Sequence, residues 1–231
     1  MEPKEEQVRG LFTRIAGRYD ALNRVLTFGI DVRWRVRALR LLAAATARPA
    51  AVLDLATGTA DLALGLARRF PAARVTGVDL TPAMLALGRR KVAKAGLSDR
   101  IELREGNALA LDLPDRAFDA AACAFGFRNF PDADRALREV ARVLKPGGSL
   151  LVLEFFRLQS RLLARLTSTW LRCVAPVVAG RAQADYAYLR TSIERTLSAA
   201  EFLEKARQTG FACDREAFFR PSCHCLVLRK I

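Results

Sequence analysis

Residues Val52 to Leu64 read VLDLATGTADLAL. The apolar run Ala51 to Leu55 predicts a buried strand. The small residues Ala56 to Ala60 predict a tight turn, and Asp61 onward the first turn of a helix. A turn of this kind brings backbone N–H groups and a helix N-terminus close to a ligand. A second acid, Asp79, closes the next strand, VTGVDL, where a carboxylate can accept from the two hydroxyls of a ribose.

Outward from this stretch the chain alternates. A strand over 51–55 precedes a helix over 59–69. A strand over 74–79 precedes a helix that opens at Thr81-Pro82 and stops at Gly96. Further strands are predicted over 100–104, 117–125 and 149–155, with a helix from Asp132 to Leu144 and a Lys145-Pro146-Gly147-Gly148 turn before the last of them. Ser198 with Glu201 three residues on is a capping box for a later helix. Residues 211–219 and 223–229 predict a terminal hairpin turning at Pro221-Ser222. Alternation of this kind defines an α/β chain with a mostly parallel sheet and helices on both faces. Ahead of it, residues 5–47 predict helices interrupted at Arg18-Tyr19-Asp20. In the last of these Asp31 is the expected N-cap, and Val32, Val36, Leu39 and Ala43 are the expected apolar stripe.

Composition narrows the class. With 231 residues, 52% of them apolar, the chain can build one full core. The formal charge of +14 suits nucleic acid, an anionic membrane surface or an acidic partner, and equally a solvated basic surface with no partner. The lead-in MEPKEEQVRG has neither a secretory nor a transit pattern, and no stretch reaches the roughly eighteen apolar residues of a span, so a cytoplasmic address is expected. Five scattered cysteines do not make a disulfide framework, and Cys223-His224-Cys225 is poor metal-ligand spacing, so no metal is expected. His224 is the only histidine, which leaves little material for a histidine triad. Between Glu154 and Asp185 there is no acid, and Arg157, Arg161 and Arg165 recur every fourth residue. Residues 156–182 therefore predict a basic amphipathic helix, fit either for an anionic membrane or for the core.

The turn lacks GxGxxG: Gly58 stands between Ala56 and Ala60. Asp54 and Asp61 flank it, and acids repel a pyrophosphate but suit a ligand with an amino group. That favours S-adenosylmethionine over a dinucleotide. Asn107, at the end of the third strand, is placed to pair with an adenine edge.

On these residues the chain resembles the class I S-adenosylmethionine-dependent methyltransferases. More narrowly it is similar to the quinone-biosynthesis C-methyltransferases acting on demethylmenaquinone and 2-polyprenyl-benzoquinol, the UbiE/MenG family. The likeness covers nearly the whole chain: FTRIAGRYDALNRVLTFGIDVRWR, VLDLATGTAD, VDLTPAMLALGRRK, AFGFRN, REVARVLKPGGSLLVLEF and YAYLRTSI. It implies a Rossmann-like, seven-stranded sheet. Residues 1–48 become a helical lid, and 49–231 the methyltransferase domain with a helical insertion over about 156–197.

It also implies a cofactor site. Gly58, Thr59 and Asp54 fall at the methionine end, Asp79 on the ribose, Asn107 and Ala108 at the adenine, Leu80 on the base, and Tyr19 in the lid. Arg128 and Asn129 are expected to face the methyl group and the ring, Arg128 stabilising a phenolate. The implied partner is a lipophilic quinol, with an anionic bilayer and a homodimer left open; nucleic acid is not expected, since the basic residues are not interleaved with aromatics and no NPPY-like motif is present. The chain departs from the family pattern at Thr57, Ala60, Ala124 and Asp31. A methyltransferase for a small soluble acceptor and a non-catalytic accessory subunit remain the competing readings.

Overall fold

A computed structural model describes residues 3–27, 29–158, 191–192, 195–220 and 222–231. The basic segment expected over 156–182 lies outside them beyond Leu158, as does Tyr186 to Leu189.

Strands β1 (Ala51–Leu55), β2 (Arg74–Asp79), β3 (Ile101–Glu105), β4 (Phe118–Ala124), β5 (Leu144–Phe155), β6 (Phe211–Arg220) and β7 (Cys223–Lys230) form one seven-stranded sheet in the order β3-β2-β1-β4-β5-β7-β6. The first five run parallel. β7 enters antiparallel between β5 and β6, completing the expected hairpin. The strand order reverses between β1 and β4, which places a crevice at their C-terminal ends.

Helices cover both faces because successive strand residues point to opposite sides. On one face Val52, Leu151 and Leu153 pack with α3 (Ile30–Ala45), α4 (Asp61–Arg69) and α5 (Pro82–Lys94). On the other, Leu53, Leu150 and Val152 pack with α6 (Ala133–Val143) and α7 (Ala199–Gln208). Asp132 caps α6 by accepting from the Arg135 amide, and Ser198 with Glu201 forms the reciprocal capping box of α7. Along β7 the same alternation separates Cys223 and Cys225, in the first cluster, from His224, which packs on Phe156 and Phe218 across the sheet. The three side chains cannot converge on one ion.

The lead-in forms α1 (Pro3–Ile15), a single 3₁₀ turn over Ala16–Arg18, and α2 (Tyr19–Thr27), before α3. Three expectations change here. α3 turns Trp34, Ala38, Leu39 and Leu42 inward and leaves Val32 and Val36 41% and 46% exposed. A sixteen-residue helix with apolar residues all round offers two stripes, and the larger Trp34 and Leu42 win the core. Asp31 is inside the first turn rather than at the cap. It is buried and pairs with Arg35 one turn on. The Lys145–Gly148 turn lies within the bounds of β5 as an irregularity between the Leu144–Phe118 and Ser149–Ala120 pairs, with Gly147 at φ 72°.

Candidate active site

The crevice at the C-terminal ends of β1–β4 has two connected compartments that share Tyr19, Ala56, Gly58 and Ala124. The larger encloses about 710 Å³, its open mouth included. Its walls are Val78, Asp79 and Leu80 after β2, Gly106 to Leu109 after β3, and Phe125, Gly126, Asn129 and Phe130 after β4. α1 closes it with Glu5, Val8 and Phe12. The smaller, about 340 Å³, is polar and lined by Asp20, Arg35, Asp54, Thr57, Thr59 and Asp61.

The turn after β1 is built from left-handed backbone: Ala56, Gly58 and Ala60 have φ of 50°, 55° and 66°. For the two alanines this costs about 1 kcal/mol or more each. Only a small side chain fits, since Ala60 is fully buried. The conformation aims the Gly58 amide at Asp79, which accepts at 2.8 Å on Oδ2 and takes the Thr81 amide at 2.9 Å on Oδ1. Burial raises the Asp79 carboxyl above its ordinary value, against these two donors. Each carboxylate oxygen keeps lone-pair capacity for a hydroxyl. Phe125 is also left-handed, at φ 60°, and its ring stacks on Phe155 at 5.2 Å.

Asp54 is 1% exposed. Its Oδ2 accepts from the Thr57 hydroxyl at 2.6 Å, while Oδ1 has no partner. Burial lifts its pKa to about 7, and the negative charge of Asp79 adds to the rise. A buried carboxylate oxygen with nothing to accept from is what a ligand's ammonium would satisfy. The residues therefore fit a methionine-type end.

All eight residues expected to hold the cofactor border this crevice: Tyr19, Asp54, Gly58, Thr59, Asp79, Leu80, Asn107 and Ala108. Asn107 behaves differently from expectation. Its amide nitrogen donates to Glu5 at 2.7 Å and its oxygen accepts from the Leu109 amide at 2.9 Å. The side chain thus shapes the loop after β3 and fastens α1 to it. Asn129 lines the larger compartment and donates to the Phe125 carbonyl at 3.3 Å.

Arg128 does not line either compartment. Its guanidinium contacts Glu154 at 2.7 Å and the Phe125 carbonyl at 2.6 Å, with side-chain exposures of 7% and 1% for the pair. It faces a neighbouring cleft with Glu154, Phe156 and Phe202 that shares Phe130 and Pro131 with the larger compartment. A buried ion pair, not a group turned toward a methyl, is the first role the geometry gives it.

Sequence reasoning did not single out Arg35, Lys91 or Glu5. Lys91 Nζ lies 2.5 Å from Asp20, 2.6 Å from Asp61 and 2.8 Å from the Thr59 hydroxyl, while Thr59 donates to Asp20 at 2.7 Å. The start of α2 is in this way fastened to α4 and α5 over the polar compartment. The available signal was the pair of acids at Asp20 and Asp61; the lysine that joins them is far from either in sequence.

A mostly parallel seven-stranded sheet with an antiparallel β7, a small-residue turn after β1 and a carboxylate at the end of β2 define the class I methyltransferase fold. The ubiE/COQ5 methyltransferase family model matches residues 1–218. A demethylmenaquinone methyltransferase of Thermus thermophilus is 48% identical over 80% of this chain and 83% of its own length. A ubiquinone/menaquinone biosynthesis C-methyltransferase UbiE of Syntrophotalea carbinolica is 46% identical over 89% and 86%. Among solved structures, a SAM-dependent methyltransferase from Aquifex aeolicus superposes with TM-score 0.65 at 17% identity, over 91% of this chain and 98% of that one. The [4+2]-cyclase SpnF superposes equally well, at 0.65 with 24% identity over 84% and 80%, a reminder that fold does not fix reaction. The chain belongs to the ubiE/COQ5 methyltransferase family.

Proposed function

We propose that this enzyme C-methylates the ring of a prenylated quinol, demethylmenaquinol or a 2-polyprenyl-benzoquinol, with S-adenosylmethionine as donor. The observation that carries this reading is that Gly58-Thr59, Asp79-Leu80 and, from AFGFRN, Phe125, Gly126 and Asn129, all within segments that carry the family likeness, meet with Asn107-Ala108 around one crevice.

Bound S-adenosylmethionine supplies an electrophilic methyl group on a sulfonium. Everything else falls to the chain. Asp79 holds a diol and Asp54 an ammonium, fixing the direction of attack. Phe12, Tyr19, Phe125 and Phe130 keep water from the reacting carbon. The quinol ring is placed against Phe130, which both clefts share, with Asn129 on the donor side orienting a hydroxyl or a water. Arg128 stands on the other side, where its charge favours a phenolate. The proton leaves to water, since the only histidine of the chain sits on β7 between Phe156 and Phe218.

Among the described residues no helix is long and apolar enough to cross a membrane. A prenyl tail nevertheless has to be met at a bilayer. The exposed Val32 and Val36, beside Arg33, Arg37 and Arg40 on α3, suit contact with anionic lipid, in keeping with the +14 charge.

Transfer of labelled methyl to each quinol, with the product identified by mass, tests the reaction. Methylation of soluble phenols alone would overturn it. Flotation with anionic vesicles at low salt tests the contact, with loss expected on Arg33→Glu/Arg40→Glu; equal flotation of the variant would remove α3 from it.

A further inference from the structure

The polar compartment contains more than the acids that the sequence pointed to. Arg35 enters it from α3, 12% exposed at the side chain. Nη1 is held by Asp31, itself buried and fixed by the Thr27 hydroxyl at 2.9 Å. The guanidinium carbon lies 5.4 Å from the centre of the Phe125 ring, so the plane is steadied from a second direction. Among the described residues nothing else hydrogen-bonds to it, although a guanidinium has five N–H donors.

The other cations nearby are already committed. The three donors of Lys91 are met by Asp20, Asp61 and Thr59. Arg24 reaches Asp61 at 3.4 Å from outside the compartment. On the opposite charge, Asp20 and Asp61 have Lys91, while the buried Oδ1 of Asp54 has no partner. One compartment thus carries one cation with donors to give and one acid with an oxygen to fill. That is the complement of an α-amino acid zwitterion.

The geometry points to Arg35 as the residue that holds the α-carboxylate of the methyl donor, opposite Asp54 on the α-ammonium. This rests on the donor being S-adenosylmethionine. Arg35 is a positioning residue: anchoring both charges of the methionine end fixes where the sulfonium sits along the crevice, against the Phe125 wall. The departure at Asp31 has a use in this arrangement, since a buried carboxylate paired with Arg35 fixes where the guanidinium sits in the site.

Calorimetry with three probes separates the contributions: S-adenosylmethionine, its decarboxylated form, and methylthioadenosine, which lacks the whole amino-acid end. Arg35→Gln is expected to weaken S-adenosylmethionine roughly 10- to 100-fold, as loss of a charge-assisted bond does. The decarboxylated form and methylthioadenosine should stay within about twofold by the same reasoning, because neither has a carboxylate to lose. Arg35→Lys should recover part of the selectivity. Because Asp31 would be left buried without its cation, Asp31→Asn/Arg35→Gln is measured beside the single variant, with the same pattern expected. An equal loss for all three probes, or none for S-adenosylmethionine, overturns the assignment while leaving the donor in place. Failure of the unaltered protein to bind any of the three overturns the donor reading, and this assignment with it.

Discussion

The Gly58 amide donates to Asp79 Oδ2 at 2.8 Å, so the loop that leaves β1 is tied directly to the acid that ends β2. The turn after β1 and the end of β2 are one hydrogen-bonded unit. Packing beneath that unit is tight. A methyl group at Gly77 on β2 would come within 2.8 Å of the Thr57 hydroxyl and 2.6 Å of a Leu103 methyl. Gly77→Ala is expected to lower stability by about 1–3 kcal/mol. It should also weaken donor binding, because Thr57 must move off Asp54. Denaturant midpoints and calorimetry read the two effects; a variant unchanged in both would mean the turn is not braced from below.

Asp54 makes stability and binding depend on pH in opposite directions. In the unfolded chain its carboxyl titrates at the ordinary 3.8; in the fold, burial raises it to about 7. The folded protein therefore holds a proton that the unfolded chain has lost, and stability falls as pH rises from about 4 to about 7. The charge of Asp79 pushes the same way and that of Arg35 opposes it. Donor affinity should rise over the upper part of that range, since an ammonium is held by the carboxylate and not the acid. Asp54→Asn is expected to flatten both curves in melting and titration series at pH 5, 6 and 8. Parallel curves for the variant and the unaltered protein would contradict this.

The Lys91 cluster is a clasp between the start of α2 and the body of the fold. Its members are partly exposed, at 28% for Lys91 and 31% for Asp20, so its worth to global stability is under about 1 kcal/mol. Its effect should appear instead as access: Lys91→Met is expected to raise the donor KM severalfold and to expose the α1–α2 region to protease. Unchanged digestion would show that apolar contacts alone hold α1 and α2 in place.

Arg128→Ala should cost stability before it costs chemistry. Removing the cation leaves Glu154, 1% exposed, without its charge partner, which is worth about 3 kcal/mol. Arg128→Met/Glu154→Gln should recover much of that in thermal or denaturant unfolding. If turnover stays lost in the recovered double variant, Arg128 also acts on the ring; if turnover returns, the pair serves only to hold the wall.

Strand limits were legible because buried parallel strands are short apolar runs punctuated by Gly, Pro and acids. β1 over 51–55 and β2 over 74–79 follow directly from that pattern. The residues expected to hold the cofactor could be placed at the crevice for a related reason: most sit at strand ends, where topology alone aims them there. The α3 surface was not legible. Leu39 goes inward as expected, but Val32 and Val36 repeat with it as regularly as Trp34, Ala38 and Leu42 do, and only the shape of the sheet beneath turns them out. Arg35 was missed with it, since an arginine among three others on one helix reads as solvated. Its burial depends on Asp31, whose own burial no local pattern reveals. Arg128 was placed by resemblance, and its partner Glu154 lies on a strand twenty-six residues away.

β7 lies between β5 and β6, yet it is the last of the seven strands to be made. During synthesis the whole donor crevice, on β1 to β4, is assembled while the flank of β5 still has an open row of amides and carbonyls beside Leu150 to Phe155. A ribosome that stalls before Cys223 would release a chain with a nearly finished catalytic half and an adhesive edge. Nascent copies on one message are thus exposed to cross-pairing until those few residues emerge.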